Sequence, residues 1–145
     1  MYKILIVITL TILFAGCFSQ SVIKEETVLL SNNLWTLSSL PGIEVLDSQS
    51  EKAPNISFNL NENKVSGFAG CNRFMGPVQI NGETIKFGNI ASTMMACPEM
   101  ELEIKFMKIF NTVDRYTIQD GKLIFFSGDN VVAKFNKGKA SEGIK

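Results

Sequence analysis

From residue 56 to residue 135 the chain keeps alternating apolar with polar side chains, in runs too short for helices and separated by turn dipeptides. Ile56, Phe58 and Leu60 alternate with Ser57, Asn59 and Asn61, which puts one set on a buried face and the other in solvent. Asn61-Glu62-Asn63 turns the chain into a run where Val65, Gly67, Ala69 and Cys71 share a face. Side chains that small leave room for something bulky beside them. Val78 and Ile80 lead into Asn81-Gly82, a strong hairpin signal, and Ile85 to Phe87 returns. Tyr116 and Ile118 precede Asp120-Gly121, with Leu123 and Phe125 after it. A further reversal at Ser127-Gly128-Asp129-Asn130 leads to Val131, Ala133 and Phe135. Leu34–Leu40 reads as a first strand stopped by Pro41-Gly42. About seven short strands in succession predict an antiparallel sheet, barrel-like or sandwich-like.

One segment departs from this rhythm. After Pro98, the residues Leu102, Phe106, Ile109, Phe110 and Val113 recur at spacings of three and four, the mark of an amphipathic helix. Proline suits a first helical turn, where its missing N–H has no partner to lose. Glu99, Glu101 and Glu103 fall toward the positive end of the helix dipole, and Lys108 and Arg115 toward the negative end. The dipole and a solvated face account for these glutamates without a catalytic pair. The fold class expected is therefore α+β, mostly β, with one amphipathic helix.

The N-terminus reads as an address. Lys3 is followed by an almost wholly apolar stretch from Ile4 to Phe14, then Ala15-Gly16-Cys17. A cationic start, about ten apolar residues and small residues before the break form a secretory signal, too short for a spanning helix. Leu13-Phe14-Ala15-Gly16-Cys17 resembles a bacterial lipoprotein signal, with Phe14 where leucine is usual. That resemblance implies cleavage before Cys17 and acylation of its thiol, palmitate being a typical chain. Each buried methylene then contributes about 0.8 kcal/mol of membrane anchoring. Phe18 is not the aspartate that commonly retains lipoproteins in an inner membrane, so in a two-membrane cell the outer membrane is favoured. Residues 1–16 are thus expected to be a signal peptide, 17–32 a lipidated tether, 33–136 the folded domain and 137–145 a fraying tail.

Composition excludes more than it names. The chain has 145 residues, 14 basic and 14 acidic side chains and no histidine. That balance gives no basic face for nucleic acid. Without histidine there is no imidazole base for a serine or cysteine nucleophile and no histidine-ligated metal site. No enzyme, cofactor or metal is expected. Once Cys17 is acylated, Cys71 and Cys97 remain as an even pair in an exported protein, which argues for a disulfide. Zinc would need more ligands, and there is no Cys-x-x-Cys.

Two dense motifs surround these cysteines: Gly67-Phe68-Ala69-Gly70-Cys71-Asn72-Arg73-Phe74-Met75-Gly76 and Ala91-Ser92-Thr93-Met94-Met95-Ala96-Cys97-Pro98. Asn72 suits a turn held by its own side chain. Arg73 either pairs with a carboxylate or recognises an anion. Met75, Met94, Met95, Met100 and Met107 supply soft apolar volume, read here as core filler in preference to a binding surface.

These motifs resemble the META domain, the module of the HslJ-type heat-shock lipoproteins. The likeness rests on Trp35-x-Leu37, Gly70-Cys71-Asn72-Arg73-Phe74-x-Gly76 and Thr93-x-Met95-Ala96-Cys97-Pro98. A helix and Tyr116-x-Ile118-x-x-Gly121-x-Leu123 complete it, over about residues 33–136. The resemblance implies a barrel-like antiparallel fold with one packed helix and a Cys71–Cys97 bridge. It also implies packing roles for Trp35, Asn72, Arg73 and Pro98, and no catalytic residue. It implies a cell-envelope protein on the periplasmic or surface side, linked in some members to heat stress or antibiotic tolerance. The leading reading is a non-enzymatic envelope lipoprotein contributing to stress tolerance through a protein partner. The alternative is a lipocalin-like binder of a small apolar ligand.

Overall fold

The strands that local alternation predicts form by main-chain pairing and leave their apolar faces to meet in one interior. The structure, a computed structural model, describes residues 26–43, 45, 53–98 and 100–138. Nine strands follow one another: β1 (Trp35–Ser39), β2 (Asn55–Asn59), β3 (Lys64–Phe68), β4 (Arg73–Asn81), β5 (Thr84–Phe87), β6 (Ala91–Ser92), β7 (Arg115–Gln119), β8 (Lys122–Ser127) and β9 (Asn130–Lys137). Residues 26–31 form a short helix, α1, and Glu101–Ile109 form α2.

All pairings are antiparallel, in the order β3-β2-β1-β9-β8-β7-β5-β4-β6. A further β3–β4 pairing, from Phe68↔Arg73 to Lys64↔Pro77, bends the sheet into a ring. The ring is thin between β5 and β7, which share only the Thr84↔Arg115 pair. It is ring-like and falls short of a true barrel, which settles the expected barrel-or-sandwich class as mostly-β α+β. β4 starts at Arg73, well before the Val78 at which a strand was expected, because Gly76-Pro77 does not break it. Pro77 sits where β4 exchanges its neighbour β6 for β5, so its absent N–H leaves no ladder bond unmade there.

The expected hairpins form on their turn residues. Asp120 and Gly121 both adopt positive φ between β7 and β8, at 52° and 71°. The interior fills with rings. Phe74 meets Phe106 edge-on at 5.9 Å, Phe87 meets Phe110 at 4.9 Å, and Phe125 meets Phe135 at 5.0 Å. Each such pair adds about 0.5–1.5 kcal/mol beyond its buried area. Gly67 explains the small-residue face of β3: a Cβ there would meet the Phe74 ring at 2.6 Å and the Asn55 carbonyl. The bulky neighbour is thus a ring of the same sheet.

Both ends of the domain differ from expectation. The last part of the expected 17–32 tether packs on the sheet: Leu30 is fully buried, and the Trp35 indole Nε1–H donates to its carbonyl at 3.0 Å. The Glu26 carboxylate accepts from the Ile118 N–H. At the other end, β9 runs to Lys137 and Gly138 N–H donates to the Leu34 carbonyl at 2.7 Å. Residues 1–25, including the signal segment and Cys17, and 139–145 lie outside the described residues.

α2 is shorter than its periodicity. It begins after Met100, so Pro98 lies in a bend outside the first turn where it was expected. Arg115 opens β7 instead of closing the helix, with its guanidinium 4.2 Å from the centre of the Phe126 ring.

Candidate functional site

The two cysteine motifs meet at one end of the ring. Cys71 and Cys97 form a disulfide across 26 positions, with 6.2 Å between their Cα atoms. In the chain-entropy description such a loop contributes about 3.5 kcal/mol. The bond joins the β3–β4 corner to the segment entering α2.

Asn72 is 2% exposed, and its side chain works as a substitute strand. Its Oδ1 accepts from the Met95 N–H at 2.7 Å and from the Thr93 hydroxyl at 2.8 Å. Its Nδ2 donates to the Met95 carbonyl at 3.1 Å and to Glu103 Oε1 at 2.7 Å. One amide group therefore ties the segment after β6 to the helix. Arg73 pairs with the same segment through its backbone: Thr93 N–H donates to the Arg73 carbonyl, and Arg73 N–H donates to the Thr93 hydroxyl.

Glu103 completes the node. Its Oε2 accepts from the backbone N–H groups of Cys71 at 2.9 Å and Asn72 at 2.7 Å. Glu103 as a residue is 7% exposed. Burial pushes its pKa up, but the Asn72 side-chain bond and the Asn72 and Cys71 N–H bonds outweigh that and hold it below the ordinary value. It is a buried anion stabilised by three donors. The sequence pattern alone puts Glu103 on a solvated face, and the structure buries it. The signal that places it inside is its position three residues before Phe106 and seven before Phe110, on the apolar stripe itself.

What the node holds is exposed. Met94 is 98% exposed, Met95 62% and Met75 65%, so these methionines are surface, in contrast to the expected core filler. Met75 stands on β4 opposite Ala91, the first residue of β6. Arg73 is exposed on the same outward face of β4, and among the described residues its guanidinium meets no carboxylate. Of the residues expected to matter, Asn72, Arg73, Cys71 and Cys97 come together here, with Pro98 beside Cys97. Trp35 lies apart, on β1, where it anchors α1.

Beside the node a groove of about 600 Å³ opens between Asn89-Ile90, just before β6, and Ile104, Met107 and Lys108 of α2. Gly76 lets that wall approach β4: a Cβ there would lie 2.5 Å from Ile90 Cδ1 and 2.9 Å from the Asn89 carbonyl.

The family profile described as META domain matches residues 28–139. Three solved structures share the fold. An NMR structure of a protein from Burkholderia xenovorans has a TM-score of 0.61 at 21% identity, covering 78% of this chain and 86% of that one. A second NMR structure gives 0.58 at 22% identity, covering 73% and 90%. A crystal structure of a DUF4847 family protein from Bacteroides vulgatus gives 0.55 at 14% identity, covering 74% and 93%. No curated protein is significantly similar to the chain.

Proposed function

The chain belongs to the META domain family, and from that premise we propose that it is a non-enzymatic cell-envelope lipoprotein that supports envelope integrity under stress by contacting other envelope proteins. The anchor in this reading is the acylated Cys17, which in a two-membrane cell places the domain at the outer membrane. The observation that carries the contact role is the methionine strip. Met75 on β4, and Met94 and Met95 on a segment fastened by a disulfide and a buried carboxylate, stand in solvent near Arg73, whose guanidinium meets no carboxylate among the described residues. A loop kept only for packing would turn such side chains inward. Soft, polarisable side chains on a rigid mount suit protein recognition, because little ordering entropy remains to be lost on binding. The lipocalin-like alternative draws no support from the interior of the ring, which is occupied by the rings of Phe74, Phe87, Phe106, Phe110, Phe125 and Phe135.

The test is complementation. A deletion strain stressed by heat, detergent and envelope-active drugs is expected to be sensitised and to be restored by the wild-type gene. A Met94→Glu/Met95→Glu double variant, folded and exported, is expected not to restore it. A deletion strain indistinguishable from its parent would refute the role, and full restoration by the double variant would refute the strip.

A further inference from the structure

We infer that the groove between Asn89-Ile90, the two residues that lead into β6, and α2 takes an extended segment of a partner protein, which continues along the free edge of β6 as an added strand and presents an acidic side chain to Lys108. This rests on the protein-contact reading above and specifies its geometry.

The first observation is the edge. In the strand order β6 stands last, with β4 as its one neighbour, so its outer side carries main-chain groups free for another strand. Natural edges are usually blunted by charge, yet Ala91-Ser92-Thr93-Met94-Met95-Ala96-Cys97-Pro98 carries none. The edge is also longer than its two-residue strand. Thr93 N–H bonds the Arg73 carbonyl and Met95 bonds the Asn72 side chain, so Ala91 to Met95 is held in place before any partner arrives. Five residues at about 3.3 Å each offer roughly 16 Å of template.

The second observation is the opposite wall. Ile104 is 51% exposed on α2, and with Ile90 and Met107 it lines the groove. An alternating strand laid there would set one set of side chains on these apolar groups while its main chain pairs with β6.

The third is charge. Lys108 lines the groove and is exposed, and among the described residues its ammonium meets no carboxylate; Lys105, one turn earlier, is already paired with Glu101 at 3.0 Å. Glu103 also borders the groove, but its oxygens are taken by Cys71 and Asn72. The free cation therefore selects an acidic segment over a basic one.

The probe is a blocked nine-residue peptide alternating valine with glutamate, compared with its lysine counterpart, each titrated into the full-length protein in detergent. The glutamate peptide is expected to bind in the micromolar range and to protect from hydrogen exchange the outward amides of Ser92 and Met94, which alternate with the Thr93 N–H already bonded to β4. Lys108→Glu should weaken it by about tenfold and favour the lysine peptide. Equal binding of both peptides, indifference to Lys108→Glu, protection elsewhere, or no binding at millimolar concentration overturns the inference. The stress assay separates it from the broader reading. If Lys108→Glu restores tolerance fully while Met94→Glu/Met95→Glu does not, the groove falls and the contact role stands. If the peptides behave as expected and the deletion strain has no phenotype, the groove stands and the stress role falls.

Discussion

Replacing Glu103 by glutamine tests the node with the smallest change of shape. The carboxylate accepts from two backbone N–H groups at Oε2 and from Asn72 Nδ2 at Oε1. Glutamine retains one acceptor oxygen for the backbone pair but turns an NH₂ toward the Asn72 NH₂, donor against donor. Asn72 cannot flip to relieve this, because its Oδ1 already accepts from Met95 and Thr93. The variant loses charge assistance on two bonds and breaks a third in a buried place, which costs about 3 kcal/mol. For a domain near 100 residues that lowers Tm by roughly 15 °C. The acid limb of stability gives an independent readout. The folded pKa of Glu103 lies below its unfolded value, so the contribution is fully present above the unfolded value and is lost as pH falls through the folded one. Urea denaturation from pH 7 down to pH 3 is expected to show the wild type losing stability at the acid end, with Glu103→Gln already low and flatter there. A cost below about 1 kcal/mol at neutral pH, or an unchanged acid slope, would refute the assignment of Glu103 as the buried anion that holds Asn72.

Three further outcomes follow from the same contacts. Cys97→Ala should destabilise the folded domain by about 3.5 kcal/mol in urea, and unfolded wild type kept from reductant should show no free thiol at Cys71 or Cys97; a free pair would contradict the bridge. Trp35→Phe removes the indole donor to the Leu30 carbonyl and should cost about 1–2 kcal/mol, with faster proteolysis near residues 26–33; unchanged proteolysis would mean α1 is not held by that bond. Brief peroxide treatment followed by peptide mass analysis should oxidise Met94, Met95 and Met75 before Met107, and the reverse order would contradict the exposed strip.

Strands were legible because alternation and turn chemistry act over a few residues: Ile56 to Leu60 and the Asp120-Gly121 hairpin need no distant partner to declare themselves. β6 was not, because Ala91-Ser92 has no alternation and is held by β4, with the following Thr93 and Met95 tied down by the side chain of Asn72. The surface position of Met94 and Met95 was hidden for the same reason, since main-chain anchoring leaves their side chains no part in placing the segment. Glu103 read as solvated because its donors come from Cys71 and Asn72, about thirty residues upstream. Residues 26–32 read as tether because Glu26 meets Thr117 and Ile118 only across the folded sheet, and Leu30 is buried only once that sheet has formed. The cysteine pair was legible from its even count, whereas what it holds in place became visible only in three dimensions.

The most direct measurement places a photo-crosslinking residue at Met94 in living cells and, as comparison, at Asp129 in the exposed β8–β9 turn. The account predicts a discrete protein adduct from position 94 and none from position 129. The same adducts from both positions, or none from position 94 under stress, would contradict it.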